Sequence, residues 1–390
     1  MMNPTARISL VGIVALCAAS GLAGAQELQP YAHEGRVLQR LKAFDNPEGT
    51  IFSEDGRYVF VSNCAELGMP DKGFHFTHNA GYISKLEVQP DGQLKMVDQK
   101  FITGLTGPLG MAVSTVATQK FPKGTIFLAE AWGPLAEADG TIVTDPSVID
   151  PKIVAFNTEG EILGAIKLGK GSAVEKHTGV VATLSNALAF DKKGNLYLAE
   201  TGIGGGQYKP EIKTGGGIYM FPLSSLDALA NGQDAPFSYL PVPEGGPDGI
   251  EVGSDGVVNF NTVGAVAGLN DPAQGGMYRV RPQEIQAGKL PRPFNHGLGA
   301  LDGCDFAGTA RLDTEIKNTS SVVVTPFWTD TSYMLTYDTP LKLSGPADIA
   351  VHKMSDGTYL LLIPELSATS PNNVDNPVTV VRLPADFDKF

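Results

Sequence analysis

The chain has 390 residues, with 29 Lys plus Arg against 42 Asp plus Glu and a formal net charge of −13. That balance excludes a general nucleic-acid binder, which needs a basic surface to displace counterions, and a polybasic membrane-surface protein. At 42% hydrophobic and 18% charged the chain is too apolar for disorder, and without a sustained heptad pattern it is no coiled coil.

Taken in chain order, residues 1–25 read as an export signal. Arg7 supplies a positive start, Ile8 to Leu22 is almost entirely apolar or small, and Ala23-Gly24-Ala25 gives an A-x-A cleavage site before Gln26. The run is short for a span, which needs about 20 apolar residues, and no later stretch approaches that length. The expectation is a periplasmic or secreted mature chain, residues 26–390, with no membrane span after cleavage. It keeps Cys64 and Cys304, too few for a disulfide framework and not spaced as a metal knuckle, so two buried or semi-buried thiols are expected.

The body repeats. Pro47 to Phe52, a turn at Glu54-Asp55-Gly56, and Arg57 to Asn63 read as strand, turn, strand. The same grammar returns at Pro108, Ser185, Pro247, Leu301 and Pro346, with Asp191 to Gly194, Asp255-Gly256 and Asp356-Gly357 among the turns. Outer strands follow at 81–88 and 95–97, at 152–157 and 162–168, and at 217–222 and 276–281. Asp91-Gly92 and Glu159-Gly160 turn between outer strands. The spacing predicts one all-β domain over 26–390, a six-bladed β-propeller of four-stranded blades, with 35–44 closing the ring beside 378–383. The second strand of the fifth copy is poorly defined after Arg311.

In such a fold the first strand of each blade lines a central channel, so equivalent positions at its start meet at one end. Those positions are Glu48, Leu109, Asn186, Asp248, Asp302 and Ala347, with Asp348 taking that place in the sixth copy. Asp and Asn are common at loop-to-strand junctions because they favour turns, so each alone reads as structural. Four oxygen donors at one repeated position read as a metal site: Glu48, Asn186, Asp248 and Asp302. Carboxylate and carboxamide oxygens suit a hard cation, Ca²⁺ above all or a similar ion such as Mg²⁺. No Cys or His pair occupies the positions, which disfavours zinc.

Four histidines are candidates for binding substrate. His75 and His78 lie in the long loop after the second strand of blade one. His177 and His296 precede candidate ligands by some six to nine residues. Each also reads as an ordinary loop residue. Asn63, Glu130, Glu200 and Asn261 end second strands and read as channel-lining or structural. The run Gly202 to Gly206 follows a strand but opens no βαβ unit, so it is no dinucleotide loop. No G-x-S-x-G occurs, which disfavours a serine hydrolase.

The Pro-Glu-Gly at 47–49, Asn186 and the Pro-Asp-Gly at 247–249, set in this blade grammar, resemble the senescence marker protein, regucalcin and gluconolactonase family of six-bladed propellers. The resemblance implies a channel metal held by Glu48, Asn186 and Asp302, with Asp248 standing where the family usually offers Asn. In an alternative register Asn186 and Asp248 match the fourth-blade and fifth-blade ligands and Asp302 falls outside. It further implies hydrolysis of a lactone or related ester, with Asp302 as general base and Asp248 as second candidate. Two function classes stay open: a Ca²⁺-dependent hydrolase of a small lactone or ester, and a non-catalytic envelope binding or scaffold module with a structural Ca²⁺.

Overall fold

The repeat folds as a radial set of antiparallel sheets. The computed structural model describes residues 26–389 apart from 66, 69–74, 134, 144, 146–147, 203–215, 244–245, 265–274 and 367–374. The expected export signal, the glycines at 203–206 and most of the 263–275 insertion lie outside the described residues.

Blade one comprises Pro47–Phe52, Tyr58–Asn63, Gly81–Val88 and Leu94–Leu105; blade two comprises Pro108–Val113, Ile126–Glu130, Lys152–Phe156 and Ile162–Lys167. Blade three is Ser185–Phe190, Leu196–Glu200, Gly217–Phe221 and Ser238–Pro241; blade four is Pro247–Val252, Val258–Thr262, Gly276–Val280 and Asn295–His296. The remaining eight strands form one sheet of two halves. Blade five is Leu301–Ala307, Ala310–Glu315, Ser321–Thr325 and Tyr333–Tyr337; blade six is Ala350–Lys353, Tyr359–Pro364, Pro377–Leu383 and Gln29–Lys42.

Gln29–Lys42 joins those halves. Its later part pairs antiparallel with Pro377–Leu383, as the sequence predicts for 35–44, and its earlier part pairs parallel with Tyr333–Tyr337. The first strands of successive blades touch in a closed ring. The second strand of blade five continues past Arg311 to Glu315, although its polar residues obscure it in the sequence. They are satisfied internally: Arg311 donates from Nε and Nη2 to Asp313 at 2.8 and 2.6 Å, and Asn261 donates to the same carboxylate at 2.9 Å.

Apolar side chains fill the wedges between neighbouring blade faces. Phe127, Ile153, Phe190 and Leu198 pack between blades two and three, and Val59, Leu86, Leu360 and Val380 between one and six. Burial of this kind contributes about 25 cal/mol per Å² of apolar surface and is the main stabilising term. Cys64 and Cys304 are buried free thiols, as the sequence predicts. No helix among the described residues is long and apolar enough to cross a membrane.

The glutamates that end second strands are structural. Glu130, Glu200, Glu315 and Glu365 accept backbone N–H bonds from Thr106, Leu184, Ala300 and Ser344, at 2.7, 2.9, 3.1 and 2.8 Å. Each ties down the loop that enters its own blade's first strand. Asn63 does the same for Asp45 N–H at 3.2 Å. A buried amide needs such a partner, and a side chain at the strand end supplies it without extending the sheet.

Candidate metal centre

Each first strand opens with the same irregularity. The pairing slips by one residue between Pro47 and Thr50, Pro108 and Met111, Ser185 and Leu188, Pro247 and Ile250, and Leu301 and Cys304. These are β-bulges, which re-aim side chains and are common beside functional sites. The first bulged residue is the ring position read from the sequence. In blades one, four and five the amide of the second is taken by a middle-strand side chain. Gly49 N–H donates to Ser62 Oγ at 2.7 Å, Gly249 N–H to Asn261 Oδ1 at 2.9 Å and Gly303 N–H to Thr314 Oγ1 at 2.7 Å.

Glycine at that second position brings adjacent first strands together. A methyl group on Gly49 would lie 2.5 Å from the Leu109 carbonyl oxygen, and one on Gly303 would lie 2.5 Å from the Ile349 nitrogen. The bulges therefore aim the ring side chains, and the glycines narrow the ring.

The structure brings Glu48, Asn186, Asp248 and Asp302 to this end of the channel, at 3, 7, 3 and 7% exposure. Asp348 joins them, 8% exposed. In blade six the pairing offset changes between Pro346↔Glu365 and Ala350↔Leu362, so Ala347 is the register equivalent of Glu48 and Asp348 stands where blades one, two, four and five have glycine. Its carboxylate nonetheless shares the electrostatic environment of Glu48, Asp248 and Asp302. The ring is thus one-sided. Carboxylates come from the consecutive blades four, five, six and one, and Asn186 comes from blade three. Leu109 of blade two packs into an apolar cluster with Cys64, Phe76, Trp132 and Leu184. Above that cluster a small sheet of Leu67–Gly68, His75–Thr77 and Leu135–Ala136 joins the insertions of blades one and two.

Burial pushes Glu48, Asp248 and Asp348 well above the ordinary carboxyl range, and repulsion from the neighbouring ring carboxylates pushes them further. Burial alone takes Asp302 up to about 7. No lysine or arginine side chain is among the causes of any of these shifts. Glu48 Oε2, Asp248 Oδ1 and Asp302 Oδ1 are buried without a hydrogen-bond partner. Buried charged oxygens left so are costly, and a cation is the partner that satisfies several at once. The donor set therefore fits a hard divalent cation. Among the described residues no group of three acidic, histidine or cysteine side chains is already gathered around one metal position. Binding would have to draw the carboxylates inward.

These shifts give a pH dependence with a definite sign. Folding raises the carboxyl values above their ordinary 3.8 and 4.5, so the stability they contribute is complete below that range. It is lost as pH rises through the folded values, Asp302's at about 7. Cation-free protein is expected to melt lower at about pH 8 than at about pH 5, with Asp302→Asn narrowing the gap. Equal melting temperatures would contradict the buried ring.

Three residues along two of the same strands lie Glu251 and Asp305, at the opposite mouth, beside a cavity of about 260 Å³ that His352 also lines. Sequence reading missed this pair, although its spacing from Asp248 and Asp302 repeats. The histidines separate. His75 is buried in the small sheet. His78 sits 3.5 Å from Glu137 with its ring 5.2 Å from that of Trp132. His177 and His296 are not brought to the ring. His177 closes a short helix, Ala173–Thr178, against Asp234 at 2.6 Å, and His296 lies on the outermost strand of blade four.

No family model matches the chain, and no curated protein matches it in sequence. Solved structures do match in fold. A gluconolactonase from Xanthomonas campestris superposes with a TM-score of 0.51 at 14% identity, over 92% of this chain and 98% of that one. A protein of unknown function from Dyadobacter fermentans gives 0.54 at 12%, over 90% and 98%. An α-L-arabinofuranosidase from Fusarium graminearum gives 0.51 at 10%, over 89% and 97%. Gluconolactonase-like proteins recur among these neighbours. At such identities the likeness defines the fold class, a β-propeller, and nothing finer.

Proposed function

We propose that the chain is a divalent-cation-dependent hydrolase of lactones or related esters, working in the periplasm or outside the cell. The observation that carries this reading is the set of three buried, unpartnered carboxylate oxygens on Glu48, Asp248 and Asp302 at one end of the channel. Glu48, Asn186, Asp248 and Asp348 would hold the cation, Ca²⁺ or Mg²⁺, with Asp302 beside it. Bound there, the ion would supply a Lewis acid for the ester carbonyl.

The chain's own residues do the rest. Asp302, which would stand beside the cation and outside the set that holds it, is the ring carboxylate suited to take a proton from attacking water and return it to the leaving alkoxide. Asp248 is the second candidate. Leu109 and the apolar cluster behind it leave one side of the ring uncharged, so the substrate's carbon skeleton can approach there without displacing a carboxylate. His78, at the edge of the small sheet, would contact substrate from the mouth.

A second reading, a binding or scaffold module with a structural Ca²⁺, is favoured by the deep burial of the ring, whose carboxylates Glu48, Asp248, Asp302 and Asp348 are 3, 3, 7 and 8% exposed. A panel of aldono-lactones, aliphatic lactones and simple esters, assayed with Ca²⁺, Mg²⁺ or chelator, separates the two. Cation-dependent turnover lost in Asp302→Asn supports the hydrolase. Tight cation binding without turnover of any member supports the module.

A further inference from the structure

We propose that the face opposite the carboxylate ring carries a separate site for an acidic saccharide chain. Two cavities meet on that face, where the hairpins between first and second strands lie. One, of about 380 Å³ between blades three and four, is lined by Lys192, Lys193 and Arg281. The other, of about 270 Å³ between blades four and five, is lined by Arg279 and Phe327. The blade-four turn containing Ser254 and Asp255 borders both, so the two cavities adjoin across that turn as one candidate groove.

The charge of this groove opposes that of the chain, which carries −13 overall. Lys193 and Arg281 enter no ion pair among the described residues. The Asp191 carboxylate beside them is consumed by its own turn, accepting from the amides of Lys193 and Asn195, from Asn195 Nδ2 and from Tyr197 OH. Asp255 likewise accepts from Val257 N–H. Lys193 and Arg281 are thus left to face a ligand, while Lys192 donates to the Ser254 carbonyl oxygen at 2.9 Å.

The other end of the groove is aromatic. Phe327 lines the second cavity and Trp328 is the next residue, outside that lining; they are 63% and 52% exposed at the tip of the blade-five hairpin that follows Ser321–Thr325. Exposed rings with one apolar face and polar neighbours are recognition surfaces. Here the neighbours are the hydroxyls of Ser254 and Thr309, the Asn259 amide and the Arg279 guanidinium, which is held by Asp330 at 3.1 Å. Rings that stack on the C–H face of a pyranose, hydroxyl and amide partners, and separated cations for carboxylates match a uronate-type chain. The cations are too few and the whole chain too acidic for nucleic acid, which is bound by counterion release.

The test is equilibrium binding of a hexamer of galacturonate to the full mature chain at low salt, with a neutral glucan hexamer as control. Trp328 is the reporter, since the only other tryptophan, Trp132, is 5% exposed. The uronate is expected to protect Trp328 from iodide quenching, and added salt to weaken binding. Phe327→Ala and the pair Lys193→Glu, Arg281→Glu should each lower affinity at least tenfold, while Glu48→Gln leaves it unchanged. Iodide quenching of Lys193→Glu, Arg281→Glu without ligand, equal to that of the parent, shows that the groove is still folded. The proposal is overturned by no binding at millimolar uronate, by equal binding of the neutral glucan, or by loss of binding in Glu48→Gln. Anionic vesicles or single-stranded DNA engaging these residues when the uronate does not would also overturn it.

Discussion

Asp302→Asn is expected to abolish lactone hydrolysis while weakening cation binding less than the loss of a holding carboxylate does. A general base contributes about 10²–10⁴-fold, and the amide keeps the oxygen donor but cannot accept a proton. Glu48→Gln and Asp248→Asn should act differently. Each removes a negative charge from the cation's surroundings, and affinity for hard cations is tuned by ligand charge. Affinity should fall on the order of 10²-fold, with activity partly restored at high Ca²⁺. Without cation the same two variants should melt higher than the parent, because each removes one buried carboxylate that its neighbours repel. Calorimetric cation titration together with steady-state kinetics reads both effects. Equal loss of affinity and activity in all three variants would remove Asp302 from its role as base.

Asp313→Ala is expected to destabilise the fold more than any ring substitution. Arg311 is almost fully buried, and its guanidinium forks onto Asp313 and reaches the Tyr278 carbonyl oxygen at 3.2 Å. Removing the carboxylate strands a buried cation and also the Asn261 amide that Asp313 accepts from. Breaking one partner of such a pair costs about 3–5 kcal/mol. Because Asn261 also holds the bulged Gly249 amide, the loss should reach the ring. Asp313→Ala is therefore expected to lose cation affinity as well as stability, whereas replacing the pair with apolar residues of similar volume should restore stability. Denaturant unfolding checks this, and a change under about 1 kcal/mol would contradict it.

The blade grammar was readable because alternating apolar residues and glycine turns are local signals. The strands from Pro47, Pro108, Ser185, Pro247 and Leu301 fold where their turns predict. The ring positions were readable because one bulge recurs at one place in the repeat. Asp348 shows where the repeat misleads: counted from Pro346 the equivalent of Glu48 is Ala347, while the carboxylate comes from the next position, which the other blades fill with glycine or alanine.

His177 and His296 fail for a different reason. The chain enters each first strand from the rim, so a few residues before a ring position lie on the outside of the neighbouring blade. His296, on the outermost strand of blade four, precedes Asp302 by six residues yet faces outward. Glu130, Glu200, Glu315 and Glu365 could be seen to recur, but their partners are loop amides, which a sequence does not identify. Glu251 and Asp305 were hidden because their positions hold apolar residues in the other blades.

The central claim is that the ring binds one hard divalent cation, and thermal melting of the mature chain with measured metal content tests it most directly. One tightly held cation per chain is expected, with a lower melting temperature after chelation and recovery on adding Ca²⁺ or Mg²⁺, by linkage of binding to folding. The recovery should be much reduced in Glu48→Gln. No bound metal, together with a melting temperature that millimolar Ca²⁺ and Mg²⁺ leave unchanged, would contradict it.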